Sequence, residues 1–369
     1  MKVKFLELAK SNKSKNIIND FRSFINKGQL MFGKKTAEFE KKISSKLKTN
    51  YCLAVSSGTS ALYLYMISAG IGKNDEVIVP ALSWYSTFSA VAKTGAKMVV
   101  VDINEDLLID YYQLEKKITK KTKAIILVHF TGLVSNSLRI KNFCKKNKIL
   151  LIEDAAQAFG AIENNKKKAG SIGDLASFSA NPMKLFGGIG EYGFITTSTK
   201  KYYKKLLKLR YSGIDLKNFE CENPETNHKP DELHSIILMR KLKYLKQIID
   251  IRIKNANLYE TYLTNKIKKP KFYNNYQSIY YTYSILVKQK DRLRLVRYLK
   301  ENNIETKIQH HKTVLDIKGL SKFIKNKKDQ FKISDNLKKK ILCLPVNENL
   351  KKNQIMHVIK KVNNFYEEK

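Results

Sequence analysis

Ile149-Leu-Leu-Ile152-Glu-Asp154-Ala-Ala-Gln157 is an apolar run of strand length that ends in a carboxylate. Its apolar core does not alternate with polar residues, so it fits a strand covered on both faces rather than one with a wet side. The same texture recurs around it. Cys52–Val55, Glu76–Val79, Lys97–Asp102 and Lys123–Val128 are strand candidates before it, and Phe194–Thr197 follows. Helix-like stretches lie at Ala37–Leu47, Ala61–Ala69, Ser86–Lys93, Tyr111–Ile118 and Ser137–Lys146. Buried strands alternating with helices predict an α/β fold whose mostly parallel central sheet is covered on both faces. Ligands of such sheets sit at the carboxyl ends of the strands, where Gly58-Thr59, the Ser83-Trp84 turn and Asp154 fall.

Downstream of Asp154 lies Ser177-Phe-Ser-Ala-Asn-Pro-Met-Lys184-Leu-Phe-Gly-Gly-Ile-Gly-Glu-Tyr-Gly193. Nearly all other lysines sit in charged runs, whereas Lys184 follows small and apolar residues and precedes a cluster of glycines. An ammonium placed there loses water, which favours the free amine that attacks a carbonyl. A nucleophilic lysine and a carboxylate at a strand end are what pyridoxal phosphate requires. The lysine forms the Schiff base and the carboxylate keeps the pyridinium nitrogen charged.

Val55-Ser-Ser-Gly58-Thr59-Ser60 reads as strand, turn and helix start, the place where backbone N–H groups hold phosphate. Such turns are more often plain N-caps. Beside Lys184 this one reads as a phosphate cup, with Ser179 as a further hydroxyl. Trp84, the only tryptophan, is placed either to stack on a pyridine ring or to fill core. Asp154 needs a donor or cationic partner, with a helix N-cap as its competing role. Gln157 lies one turn on, within reach of a cofactor's phenolic oxygen.

The remaining signals bound these readings. The 369 residues, 43% hydrophobic and 10% aromatic, suffice for a large and a small domain. A boundary is expected at 1–240 and 241–369, with a long helix over 231–263 linking the two. The second part reads as a smaller α+β domain: the strand Tyr280–Val287, a helix Asp291–Asn302, the strand Glu305–Ile308 and a last helix near Lys352–Phe365. Lys312–Lys328 is expected to be a mobile loop. The net charge of +37 comes overwhelmingly from lysine, with only eight arginines among the 70 basic residues. It is spread along the chain with no arginine-rich arm, which favours solvated faces over a nucleic-acid footprint. Four scattered cysteines fit a reducing cytoplasm, and no apolar run approaches a membrane span. Gly188-Ile-Gly190-Glu-Tyr-Gly193 matches GxGxxG, but a strand follows it instead of a helix, so no dinucleotide site is expected. The six histidines lack metal-ligand spacing, so no metal site is expected. His310-His311 reads as surface, with the active-site wall as the alternative.

With these motifs assembled, the chain resembles the DegT/DnrJ/EryC1/StrS aminotransferases, fold-type-I pyridoxal-phosphate enzymes acting on keto-sugars. Gly72–Pro80 is similar to the family's "GDEVIVP", Lys97–Asp102 to "PVFVDID" and Val128–Gly132 to "VHLYG". Glu153–Ala158 matches "EDAAQA" residue for residue. Ser177–Glu191 fits "SFS…K…GEGG" with Lys184 at the Schiff-base position, and Thr226–Leu233 resembles "YNxRxDEL". The resemblance implies that Asp154 pairs with the pyridinium nitrogen, Gln157 with the phenolic oxygen, and Trp84 with the ring face. Gly58, Thr59, Ser179 and a neighbouring subunit's Asn227 would hold the phosphate. A homodimer with shared sites follows from the same resemblance. Three departures fall where substrate should sit. Tyr192 stands for a glycine, Gln309-His310-His311 replaces "HYP", and Asn181-Pro-Met183 precedes the lysine where "HPT" is usual.

The expected activity is amino transfer from L-glutamate to a keto-sugar nucleotide, in amino-sugar biosynthesis. Tyr192, Gln309 and His310 are the expected substrate contacts, with no nucleic-acid or membrane partner. Lysine at 184 argues against the related sugar dehydratases, which carry histidine there. A transaminase of a non-nucleotide keto-sugar or a cyclitol is the alternative. A basic regulatory or binding protein on a degenerate enzyme fold is the rival from another class.

Overall fold

The structure is a computed structural model that describes residues 1–11, 15–28, 33–134, 137–164, 166–270 and 276–367. The buried runs form β1 (Tyr51–Val55), β2 (Glu76–Pro80), β3 (Lys97–Val101), β4 (Thr122–Val128), β5 (Leu150–Asp154), β6 (Leu175–Ser179) and β7 (Gly193–Thr197). They make one 7-stranded sheet in the order β1-β7-β6-β5-β4-β2-β3. Only β7 runs against its neighbours β1 and β6; every other pair is parallel. The longer helices are α1 (Lys15–Lys27), α2 (Lys34–Leu47), α3 (Gly58–Ser68), α4 (Tyr85–Thr94), α5 (Ser137–Lys146), α6 (Lys200–Arg210) and α7 (Glu232–Tyr262). α8 (Gln289–Glu301) and α9 (Lys352–Glu367) follow.

The pleat sorts each strand between two cores. Val77, Val79, Met98, Val100, Ala124 and Ile126 face α3 and α4, where Leu62, Leu64, Phe88 and Val91 pack. Their neighbours Ile78, Val99, Val101, Ile125 and Leu127 face Ile140 and Phe143 of α5. A strand with apolar residues on both faces has no polar set to turn toward water, so layers form on both sides. α3 is buried along nearly its whole length, including Ala61 through Met66, as a helix that is apolar all round must be.

A second core joins β8 (Tyr283–Leu286) and β9 (Ile341–Leu344), an antiparallel pair, to α8, α9 and the end of α7. α7 serves both cores. Leu238, Leu245 and Ile249 pack with Phe178 and Phe194, while Ala256 and Tyr259 pack with Leu299 and Val362. The boundary expected at 240/241 thus falls inside a continuous helix, and two segments cross it. Val3 enters the C-terminal core, its N–H bonded to the Asn303 carbonyl. Val314, Leu320 and Ile324 enter the N-terminal one.

That crossing corrects the expectation of a mobile loop at Lys312–Lys328. Val314 N–H donates to Ala81 O at 2.9 Å, and Asn326 bonds both the N–H and the carbonyl of Val100 on β3. β3 is an edge strand with unpaired backbone groups, and the segment covers them. The lysine content hid three apolar anchors. Of the strand expected at Glu305–Ile308, only an isolated bridge, Lys307 to Cys343, forms.

Glu232 locks the first turn of α7 onto α2. Its carboxylate accepts the N–H groups of Gly33 (3.0 Å), Lys35 (2.6 Å) and Thr36 (3.0 Å), together with the Thr36 hydroxyl. These are orphan donors of a helix start, and the acid sits at the positive end of the α2 dipole, 2% exposed. Glu232→Ala is expected to lower stability by about 2–4 kcal/mol, read as a shifted urea midpoint.

Candidate active site

The ends of β1, β2, β4, β5 and β6 meet at one cavity of about 520 Å³ at the carboxyl side of the parallel strands. Its lining joins Gly58, Thr59, Trp84, Asp154, Gln157, Ser179 and Lys184 to Gln309 and His310. A larger hollow of about 970 Å³ beside α6 contains none of these side chains.

The turn after β1 is shaped by close approach. Ser57 caps α3, its Oγ accepting the Ser60 N–H at 3.0 Å. A Cβ on Gly58 would lie 2.7 Å from Ser179 Cβ, and one on Gly193 would lie 2.3 Å from the Ser57 carbonyl. Glycine at both positions lets a helix start, β6 and β7 meet around one small space. Thr59 Oγ1 donates to Ser86 Oγ at 2.8 Å. Free N–H groups and hydroxyls at a dipole's positive end form an anion cradle.

Asp154 ends β5, 6% exposed. Its Oδ2 accepts the Thr87 hydroxyl at 2.8 Å and its Oδ1 the Ala156 N–H at 3.3 Å. Thr87 in turn lies 2.8 Å from the Ser83 hydroxyl. Among the described residues no cationic side chain pairs with Asp154, so a buried carboxylate faces the cavity held only by neutral donors. Gln157 commits Oε1 to the Thr131 N–H at 2.9 Å, leaving its Nε2 as the free donor. Behind β5, Glu153 accepts His129 Nε2 and the Gly170 and Ile172 N–H groups, each at 2.8 Å. Burial raises its pKa, but the His129 contact and the backbone donors outweigh that and hold it below the usual range.

Lys184 sits in the turn after β6, its N–H bonded to Asn181 O and its carbonyl to Gly187 N–H. Its Nζ lies 4.9 Å from the Tyr281 ring centroid. The side chain is half-buried, so its apolar neighbours do not enclose it as fully as the sequence suggested.

Trp84 is 56% exposed at the start of α4, which rules out the core alternative. It meets His310 edge-on at 6.2 Å. His310 corrects the surface reading: it is 7% exposed, packs 4.3 Å from Phe130, and holds φ at +53°. His311 is the exposed member of the pair. Tyr192 corrects the expectation of a substrate contact. Its ring lies against Phe39 and His234, its hydroxyl is 2.6 Å from Ser235 Oγ, and it lines no part of the cavity. One step along β7, Gly193 takes the position beside the Ser57-Gly58 turn, and Tyr192 turns to the α2–α7 side. Asn227 is exposed and outside its own chain's cavity, with Oδ1 accepting the Lys229 N–H.

Sequence reasoning missed Thr87, Tyr281 and Lys307, and named Ser83 only as part of a turn. Ser83 and Thr87 are spaced as one helical turn, and Lys307 and Gln309 share a period-2 face, so both pairs carried a signal.

Burial pushes His310 down to about 3, against its hydrogen bond to the Ser83 backbone, with positive Lys184 and Lys307 adding to the drop. The ring is neutral in the folded protein, whereas an unfolded histidine takes up a proton below about pH 6.5. Its contribution to stability is therefore complete above that pH and is lost progressively as pH falls toward the folded value. Compared with wild type, His310→Gln should lose about 1.4 kcal/mol less stability between pH 7.5 and 5.5, measured by urea unfolding.

The cavity fits pyridoxal phosphate. It offers an anion cradle, an unpaired carboxylate for a ring nitrogen, an amide donor, a flat indole and an amine. Residues 11–363 match the model of the DegT/DnrJ/EryC1/StrS aminotransferase family. A protein of Aneurinibacillus thermoaerophilus, dTDP-3-amino-3,6-dideoxy-alpha-D-galactopyranose transaminase, is 32% identical over 98% of this chain and 99% of its own. The 3-oxo-glucose-6-phosphate:glutamate aminotransferase of Bacillus subtilis is 32% identical over 82% of this chain and 69% of its own. The crystal structure of NtdA from Bacillus subtilis with bound cofactor PMP superposes with a TM-score of 0.92 at 27% identity, covering 99% of this chain and 85% of that one.

Proposed function

We propose, from the premise that the chain belongs to the DegT/DnrJ/EryC1/StrS aminotransferase family, that it moves an amino group from L-glutamate to a nucleotide-linked keto-sugar. It is a pyridoxal-phosphate-dependent aminotransferase. The observation that carries the reading is Lys184 and the unpaired, buried carboxylate of Asp154 lining one cavity.

Bound there, pyridoxal phosphate supplies an electron sink that makes the α-proton of an amino acid removable. Ser57-Gly58-Thr59 and Ser179 would bind its phosphate, and Trp84 would cover the ring. Asp154, kept in place by the Thr87 hydroxyl and the Ala156 N–H, would hold a positive ring nitrogen. Gln157 Nε2 would donate to the phenolic oxygen. Lys184 Nζ would take the proton from the donor's α-carbon and, in the acceptor half-reaction, deliver one to the sugar carbon that receives the amine. Gln309 and His310, which line the same cavity, would orient the sugar.

The dTDP-sugar relative supports a nucleotide-linked acceptor, and the Bacillus subtilis relative supports glutamate. That second relative also favours another reading, a keto-sugar carrying only a phosphate. The exposure of Asn227 away from its own cavity supports a homodimer in which it reaches the neighbouring site. Four free cysteines support a cytoplasmic location. Among the described residues no helix is long and apolar enough to cross a membrane.

The test is optical. The purified protein, supplied with pyridoxal phosphate, should show a visible band that L-glutamate bleaches and a keto-sugar nucleotide restores. Restoration by keto-sugar phosphates alone would favour the second reading. A protein that binds no cofactor, or whose band ignores every amino acid, would refute both.

A further inference from the structure

One wall of the cavity carries a positive side chain that the cofactor would not use. Its charged lining consists of Asp154, Glu191, Lys184 and Lys307, and burial keeps His310 neutral. Lys184 Nζ would be engaged by the bound cofactor, so Lys307 is the side-chain cation on these walls left to a substrate. No carboxylate pairs with it among the described residues. Its backbone is clamped to β9, with Lys307 N–H donating to Cys343 O at 3.1 Å and Cys343 N–H to Lys307 O at 2.9 Å. The side chain is half-buried, and Gln309 joins it on the cavity wall two residues on.

An amino-acid donor carries an α-carboxylate one bond from the carbon that reacts. That anion must enter a cavity whose own Asp154 and Glu191 repel it. The start of α3 is the other positive centre, and the cofactor phosphate would occupy it. A nucleotide's phosphates are several bonds from a reacting ring carbon, so they need not approach Lys184. We infer that Lys307 is the residue that holds the α-carboxylate of the amino donor, through an ion pair from its Nζ. This rests on the aminotransferase reading above.

The test follows each half-reaction of the holoenzyme separately, in wild type, Lys307→Met and Lys307→Arg. Methionine keeps most of the apolar stem, so packing is preserved. In Lys307→Met the apparent Kd for L-glutamate, read from bleaching of the visible band, should rise about 10- to 100-fold, the weight of one charge-assisted hydrogen bond. The limiting rate should change less than about threefold, and Lys307→Arg should recover most of the affinity. Cofactor affinity and the acceptor half-reaction should match wild type. Unchanged glutamate saturation, or a loss that falls on the acceptor or on cofactor binding, would overturn the inference while leaving the enzyme class intact. A wild-type band that no amino acid bleaches would instead bring down the aminotransferase reading, and this inference with it.

Discussion

Lys184→Ala is expected to reduce turnover by at least about 1,000-fold while leaving the fold in place. The residue supplies both the nucleophile and the carrier of the α-proton, and a positioned proton carrier alone is worth roughly 100- to 10,000-fold. Its side chain is half-buried and makes no ion pair among the described residues, so truncation removes little packing. The variant should unfold within about 1 kcal/mol of wild type. A small primary amine added to the buffer should raise its residual rate, because it replaces the lost carrier; a misfolded protein would not respond. Turnover above a tenth of wild type would remove Lys184 from the chemistry.

Asp154→Asn is expected to lower kcat by roughly 100- to 1,000-fold, the scale on which one preorganised electrostatic partner acts. The substitution preserves shape, and the Thr87 hydroxyl can turn to meet an amide in place of the carboxylate it bonds at 2.8 Å. What disappears is the negative charge that holds a proton on the ring nitrogen. Thr87→Val leaves the charge and removes one of its two donors, so its loss should stay within about tenfold. Measuring both by single-turnover bleaching separates charge from support. Equal losses in the two variants would mean that Asp154 acts through packing alone.

The parts of the site that the sequence revealed share one property. Asp154, Gln157, Gly58 and Lys184 each lie within a few residues of the end of a buried strand, so local pattern and local chemistry coincide. Ser179 is itself the last residue of β6. The small-domain wall was less legible. His310 stands in a lysine-rich stretch that reads as surface, yet packing against Phe130 and Trp84 buries it. Tyr192 failed for a different reason. Motif alignment puts it beside the cofactor, but neighbouring residues of an extended chain point to opposite sides, and Gly193 takes the inward position.

The sequence by itself determined the parallel α/β sheet, because continuous Val/Ile/Leu runs have no polar face to expose and must be covered twice. It also determined the cofactor, since a lone lysine among glycines and a carboxylate closing a strand leave few other chemistries. Only the tertiary structure decided which side chains meet across long stretches of chain. Glu232 reaches the start of α2, Val314 ties the 312–328 segment to Ala81, and Lys307 stands on the cavity wall with Asp154 and Lys184. Such meetings depend on how whole layers dock, which no local periodicity records. The pocket's chemistry is therefore written in short motifs, and its charge balance toward substrate is set by the fold.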